Sequence, residues 1–212
     1  MVRRALVSRV SRLLSALQRT QQEHRRSQFA ELGAPSGRVV FLGDSISEFG
    51  LWDEWFPKMP VLNRGIGGET SGQVLARLDT AINEPRAVFL LVGTNDLTAD
   101  MPLDTIVSNV REIVDRIESR APGTPLFLQS VMPRTADFAA EIHALNRRYQ
   151  QVAESAGEHV RFLDLWPTLA DPSGALDQRF TRDRLHLNGR GYRAWVELLR
   201  PELAALATEA AG

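Results

Sequence analysis

A serine, an aspartate and a histidine are placed in this chain where they could form a nucleophilic centre. Ser45 follows a short apolar run, Val39 to Leu42, and then Gly43. Asp183 and His186 lie three residues apart near the carboxyl end, and this spacing puts two side chains on one face of a turn. A serine becomes a nucleophile when a histidine removes its proton and a carboxylate orients that histidine. The residue types therefore predict a serine activated by a histidine and an aspartate.

Each of these segments also has a purely structural interpretation. Ser45 and Glu48 have the spacing of a helix capping box, in which a serine caps the helix and a glutamate three residues later completes the cap. Asp183 and His186 could equally form a local ion pair before the last helix. Both interpretations account for one segment at a time, so the choice depends on the rest of the chain.

Two further stretches offer hydrogen-bond donors of the kind that stabilise an oxyanion. The run 63–72 is rich in glycine and exposes backbone N–H groups, but it lacks the glycine spacing of a dinucleotide-binding loop. Thr70 and Gln73 could make it an ordinary capped turn. Asn95 follows a second buried run, 89–92, and its amide can donate two hydrogen bonds, although an asparagine at such a place more often caps a turn.

The elements that must position these residues alternate between strand and helix patterns. Predicted strands lie at 39–42, 61–63, 87–92, 126–131 and 160–163, and predicted helices at 47–56, 71–83, 103–120, 137–155 and 188–207. This alternation predicts a three-layer α/β fold, in which helices cover both faces of a five-stranded parallel sheet in a flavodoxin-like order. The crevice of such a sheet lies beyond the carboxyl ends of its strands, where Ser45 and Asn95 are expected.

Composition agrees with one such domain and excludes several classes of site. With 212 residues, 43% of them hydrophobic, the chain can bury a core of that size. The absence of cysteine excludes disulfides, a thiolate nucleophile and a zinc site built on sulfur. His24, His143 and His159 show no ligand spacing, so we expect no metal and no cofactor. A net charge of −1 indicates no nucleic-acid partner.

The first 32 residues differ from the rest in charge and in pattern. They hold seven arginines against Glu23 and Glu31, a local net charge of +5 that leaves −6 for the remainder. Apolar residues recur at helical spacing: Leu6, Val10, Leu13, Leu14 and Leu17. The composition from Gly33 onward is that of a linker, so we divide the chain into an amphipathic helix with linker, 1–37, and a catalytic domain, 38–212.

Two roles are expected for this helix: packing against protein or contact with a membrane surface. We favour packing on the body, or on a second copy in a homodimer, over contact with an anionic membrane surface. Arg9 and Arg12 interrupt the apolar core that a signal peptide would need, and no transmembrane span is evident. Together with the lack of cysteine, this favours a cytoplasmic location.

Taken together, the four stretches resemble the SGNH, or GDSL-type, hydrolases. The resemblance covers roughly residues 38–203 and looks closest to the branch of catalytic subunits of intracellular platelet-activating-factor acetylhydrolase. The motifs that carry it, in the order and approximate spacing of the family, are Gly43-Asp44-Ser45, Gly68, Gly93-Thr94-Asn95-Asp96 and Asp183-Arg184-Leu185-His186. The resemblance implies Ser45 as nucleophile, His186 as base and Asp183 as its partner. It also implies an oxyanion hole made by the backbone N–H groups of Ser45 and Gly68 and the side chain of Asn95.

On this basis we predict a serine esterase that hydrolyses acetyl or other short-chain esters through an acyl-enzyme intermediate. Three alternatives stay open: a lysophospholipase or lipid esterase at a membrane surface, an acyltransferase, and a non-catalytic module that binds esters or glycans. Arg134 could meet a polar leaving group or be solvated. Four aromatic residues could line a substrate pocket, although such residues more often belong to the core: Trp52, Trp55, Phe56 and Trp166.

Overall fold

The computed structural model describes residues 2–209, with the side chains of residues 16–207. In this part of the chain, five parallel strands form one sheet: β1 (Val39–Gly43), β2 (Val61–Gly65), β3 (Ala87–Leu91), β4 (Leu126–Gln129) and β5 (Val160–Leu163). Their order across the sheet is β2-β1-β3-β4-β5, and every neighbouring pair is parallel. This is the flavodoxin-like order, so the predicted fold is confirmed.

Helices connect the strands and precede the sheet. They are α1 (Val2–Leu32), α2 (Ser45–Glu48), α3 (Trp52–Trp55), α4 (Ser71–Ala76), α5 (Thr94–Thr98), α6 (Leu103–Arg120), α7 (Ala139–Ala156), α8 (Trp166–Leu169) and α9 (Gly189–Glu209). Short 3-10 turns lie at Leu78–Thr80 and Ala136–Phe138. The sequence patterns did not predict α5 and α8, which are only a turn or so long.

The predicted helix 47–56 is instead two short helices, α2 and α3. Between them Gly50 lies against the Trp52 indole, whose ring would be 2.3 Å from a Cβ at that glycine. The same indole donates a hydrogen bond to the Ser47 carbonyl at 2.9 Å. The large ring therefore folds back over the end of α2, and the backbone turns there rather than continuing as one helix.

Alternate residues of the strands supply two cores, one on each face of the sheet. Val40 and Leu42 of β1 pack on the face covered by α4, α6 and α7. Phe41 packs on the opposite face, covered by α2, α3, α8 and α9, where it stacks on Trp52 at a centroid distance of 3.9 Å. The hydrophobic effect thus holds the helices in two layers around a sheet that is buried on both faces.

The carboxyl end of β1 is packed tightly between its neighbours. Gly43 lies beside Gly65 of β2 and Leu91 of β3 in the sheet register. A Cβ at Gly43 would lie 2.1 Å from the Leu91 carbonyl oxygen, so only glycine fits there. This close packing brings the segment that follows β1 to the rim shared with the loops after β2 and β3.

Candidate active site

Ser45 is the first residue of α2, directly beyond the end of β1. Asp44 is the N-cap of that helix, and its Oδ1 accepts a hydrogen bond from the Ile46 N–H at 2.9 Å. The predicted capping box between Ser45 and Glu48 is therefore wrong, because the helix begins one residue earlier than that interpretation requires, with Asp44 as its cap. Glu48 instead accepts from the Gly67 N–H at 2.8 Å.

The structure brings Ser45, His186 and Asp183 into one hydrogen-bonded chain. Ser45 Oγ lies 3.0 Å from His186 Nε2 although the two residues are 141 positions apart in sequence. His186 Nδ1 lies 2.7 Å from Asp183 Oδ2. A proton on Nδ1 satisfies the carboxylate, and Nε2 is then the acceptor for the Ser45 hydroxyl.

Local backbone geometry aims the Asp183 carboxylate at the histidine. Arg184 has a φ of 61°, in the left-handed region, and this turn points two successive backbone N–H groups back at Asp183. Leu185 and His186 donate to its Oδ1 at 3.0 and 2.8 Å. Burial alone would raise the pKa of Asp183, but the His186 side chain and these backbone donors outweigh it and hold the pKa well below its usual range. Asp183 is therefore ionised wherever a histidine base would work.

The glycine-rich loop after β2 lies against Ser45. Gly68 has a φ of 76°, which glycine adopts without strain. A Cβ at the neighbouring Gly67 would lie 3.6 Å from the Ser45 Cβ. The loop then enters α4 through a capping box between Thr70 and Gln73, as the capped-turn interpretation predicted. The capped turn and the position of the loop beside Ser45 are compatible.

Asn95 is placed at the same rim by α5, which starts directly after β3. Its Nδ2 donates to the Glu69 carbonyl at 2.9 Å, one residue from Gly68. This bond uses one of the two N–H groups of the amide. The four predicted stretches thus lie together at the carboxyl end of the sheet.

A buried ionic network beneath the loop was not predicted from sequence. The Glu69 side chain is fully buried and pairs with Arg77 of the following segment at 2.6 Å and with Arg26 of α1 at 2.7 Å. Arg77 also donates to the Gly43 and Arg64 carbonyls. No local pattern reveals these pairs, because Arg26 and Glu69 are separated by 43 positions and each looks like a solvated charge in its own segment.

Asp44 adds a second buried carboxyl group next to Ser45. Burial is the main cause that raises the pKa of Asp44 to about 7, with further contributions from the nearby Asp96 and Glu69 carboxylates. Asp96 is buried as well and accepts hydrogen bonds from the Ser71 N–H and hydroxyl. Around neutral pH, Asp44 is therefore distributed between its protonated and ionised forms.

The second half of α1 packs against the glycine-rich loop through polar side chains. Gln22 Nε2 donates to the Gly67 carbonyl at 2.9 Å, and Arg25 pairs with Glu48 at 3.2 Å. Of the predicted apolar stripe, Leu17 is 53% exposed. The rest of the stripe lies outside the described side chains: Leu6, Val10, Leu13 and Leu14. The contact face of residues 18–29 is thus largely polar, with the buried Phe29 as an apolar member, and the packing predicted for the stripe itself stays a prediction.

The remaining candidates from the sequence lie away from the serine or are engaged elsewhere. Trp52 and Phe56 belong to the core. Arg134 donates to the Thr94 carbonyl at 3.1 Å and stacks over Phe138, so it joins two loops. Within the part of the chain whose side chains are described, no group of three or more histidine, cysteine, aspartate or glutamate residues has the arrangement of a metal site.

Comparison with known proteins identifies the family. Residues 41–194 match the GDSL-like lipase/acylhydrolase family. The chain belongs to this family. It is a carboxylic-ester hydrolase, as the resemblance of its four motifs implied. Among residues 2–209, no helix is long and apolar enough to cross a membrane.

Three similar proteins place the chain within that family. The alpha1 subunit of platelet-activating factor acetylhydrolase IB from Bos taurus is 29% identical over 184 residues, 82% of this chain and 78% of that protein. A solved structure from Streptococcus pneumonia, presented as a candidate platelet activating factor, has a TM-score of 0.85 at 29% identity and covers 92% of this chain and 99% of that one. A GDSL-like lipase from Bacteroides thetaiotaomicron has a TM-score of 0.74 at 25% identity, with coverages of 89% and 98%.

Proposed function

We propose that this protein is a serine esterase that hydrolyses acetyl or other short-chain esters through an acyl-enzyme intermediate. The observation that carries the proposal is the continuous hydrogen-bonded chain from Ser45 Oγ through His186 to Asp183. The name of the acetylhydrolase relatives supports a small acyl group.

In the proposed acylation step, Ser45 Oγ attacks the ester carbonyl and its proton moves to His186 Nε2. Asp183 stabilises the resulting imidazolium, since its carboxylate stays ionised and hydrogen-bonded to Nδ1. His186 then gives that proton to the leaving alcohol, and the acyl group stays on Ser45. A water molecule activated by the same histidine releases the acid and restores the serine.

The negative charge that develops on the carbonyl oxygen needs donors that are already in position. We assign this role to the backbone N–H groups of Ser45 and Gly68 and to the N–H of Asn95 that does not serve the Glu69 carbonyl. Donors fixed before the reaction lower the barrier because they do not reorganise, and losing one typically costs about 10²–10³-fold in turnover.

The proposal is tested by hydrolysis of p-nitrophenyl esters from acetate to decanoate. We expect the wild type to cleave the short esters, Ser45→Ala to lose this activity with an unchanged circular dichroism spectrum, and the exposed-serine control Ser108→Ala to keep it. Activity that survives in Ser45→Ala would overturn the serine mechanism. No wild-type activity on any ester would favour the binding-module alternative.

Hydrolysis and acyl transfer share the same acyl-enzyme, so they are separated by their products. We propose hydrolysis, and we expect free acid as the product when an alcohol acceptor is added to the assay. An acylated acceptor as the main product would make the protein an acyltransferase.

We further propose that the enzyme is cytoplasmic. We also propose that segment 1–37 packs on the domain 38–212 or on a second copy of the chain rather than binding to a membrane. The contacts of Gln22, Arg25 and Arg26 with the body support this arrangement. Flotation with anionic vesicles tests it: we expect the full chain to stay at the bottom of the gradient. Flotation of the full chain with the vesicles would favour the lipid-esterase alternative.

A further inference from the structure

A cavity of about 420 Å³ lies between α1 and the loops around Ser45. The helix contributes Gln21, Gln22, His24, Arg25 and Gln28 to its lining, and the body contributes residues that include Phe49 and Gly67. This volume lies within the range of small-molecule sites, ~300–1,000 Å³.

The cavity borders the candidate catalytic residues on two sides. A Cβ at Gly67 would lie 3.6 Å from the Ser45 Cβ. The ring of Phe49 lies 5.5 Å from the ring of His186 between centroids. A group held in the cavity is therefore within reach of an ester carbonyl at Ser45 through the covalent bonds of one small substrate.

The arginine and the glutamate that line the cavity already pair with each other. Arg25 pairs with Glu48 at 3.2 Å, and the other oxygen of that carboxylate accepts from the Gly67 N–H at 2.8 Å. A phosphate group binds best where an arginine is free to make a bidentate contact, and the pairing of Arg25 disfavours this. An alkyl chain needs an apolar lining, whereas the larger apolar side chains of this lining are Phe49 and Ile66, against three glutamines.

The glutamine amides match a different ligand. Each amide both donates and accepts hydrogen bonds, as does each hydroxyl of a sugar or polyol. Gln22 already donates to the Gly67 carbonyl at 2.9 Å. Gln21 and Gln28 are exposed, and because they are seven positions apart they lie on one face of α1.

We propose that this cavity binds the alcohol half of the ester, and that this half is an uncharged, hydroxyl-rich group such as a sugar, recognised by Gln21 and Gln28 of α1. The inference rests on the proposed esterase function and names its substrate class. It gives the arginine-rich N-terminal helix a role in specificity that its sequence pattern did not predict.

The test compares two acetate esters in the full chain. For each variant we would measure kcat/KM for a methyl glucoside monoacetate and for p-nitrophenyl acetate, and take their ratio. We expect Gln21→Leu and Gln28→Leu each to lower the ratio about tenfold, since one hydrogen bond to a hydroxyl is worth roughly that factor. Glu23→Leu, an exposed position of the same helix outside the cavity lining, should change the ratio less than twofold.

Binding provides a readout that does not depend on turnover. We expect calorimetry with methyl glucoside monoacetate to detect binding to Ser45→Ala and weaker binding when Gln21→Leu is added. An unchanged ratio in both glutamine variants, or a wild type that prefers a lysophospholipid ester to the sugar acetate, would overturn the subsite and leave the esterase proposal intact. Failure of the esterase proposal is distinct, because it would show as p-nitrophenyl acetate hydrolysis that is absent or independent of Ser45.

Discussion

Asp44, the residue before Ser45, contributes both to local structure and to the pH dependence of stability. It caps α2 through Oδ1, and its carboxyl is buried near two other acidic side chains, so its pKa rises to about 7. A raised pKa means that the folded state holds a proton that the unfolded state has already lost above about pH 4. The stabilising contribution of Asp44 is therefore fully present below about pH 4, and it is lost as the pH rises through the folded-state pKa of about 7.

We expect Asp44→Asn to flatten the pH dependence of stability between pH 4 and 7. An asparagine can still accept from the Ile46 N–H but does not titrate, so the fall in free energy of unfolding with rising pH should lessen by up to about 1.4 kcal/mol per pH unit. Urea denaturation at several pH values measures this, with the exposed Asp53→Asn as control. Parallel curves for Asp44→Asn and wild type would contradict the assignment.

Asn95 allows a second prediction at the residue scale. We expect Asn95→Ala to lower kcat about 10²–10³-fold with little change in KM, because an oxyanion donor acts mainly in the transition state. Asn83→Ala is the matched control, since Asn83 also donates to a backbone carbonyl, that of Ala34 at 2.8 Å, but lies away from Ser45. A normal kcat for Asn95→Ala would contradict the oxyanion-hole role that we propose for Asn95.

At the scale of elements, α1 supports the glycine-rich loop from outside the sheet. Arg26 reaches the fully buried Glu69, which directly follows Gly68. We expect Arg26→Ala to reduce the free energy of unfolding by about 1–3 kcal/mol, because one oxygen of a buried carboxylate loses its charged donor. The kcat should fall as well, since the loop would relax beside Ser45. Thermal unfolding and ester hydrolysis measure the two effects.

The control for this prediction is Arg19→Ala, which removes an exposed arginine from the same helix. We expect that variant to match the wild type in both stability and kcat. If Arg26→Ala also matched the wild type in both stability and kcat, the contact of α1 with the loop would not stabilise it.

At the scale of the whole molecule, two cores share one sheet. Both cores are built on the same five hydrogen-bonded strands. Loss of one core would therefore destabilise the sheet on which the other core packs. We expect a single cooperative unfolding transition, in which tryptophan fluorescence and far-ultraviolet circular dichroism coincide in urea. Trp195→Phe tests the coupling: it removes a buried hydrogen bond of 2.7 Å to Gln129 and should lower both midpoints equally. Separate midpoints for the two probes would contradict one cooperative unit.

The sequence by itself determined the sheet, its parallel order and the rim at which Ser45, Gly68 and Asn95 lie. It could do so because strand and helix periods are local, and because parallel strands bring all their carboxyl ends to one edge. The capping pattern put the N-cap of α2 at Ser45, whereas Asp44 holds that position, and the sequence patterns overlooked the single-turn helices α5 and α8.

Only the tertiary structure decided what surrounds that rim. The pairing of Arg26 with Glu69, the burial of Asp44 and the polar contact face of α1 each depend on residues far apart in the chain. A charged side chain has the same local pattern whether it meets water or a buried partner, so no periodicity distinguishes the two. Desolvation raises the pKa of Asp44 and makes the buried Glu69 depend on its arginine partners. It arises only when the folded chain buries these groups.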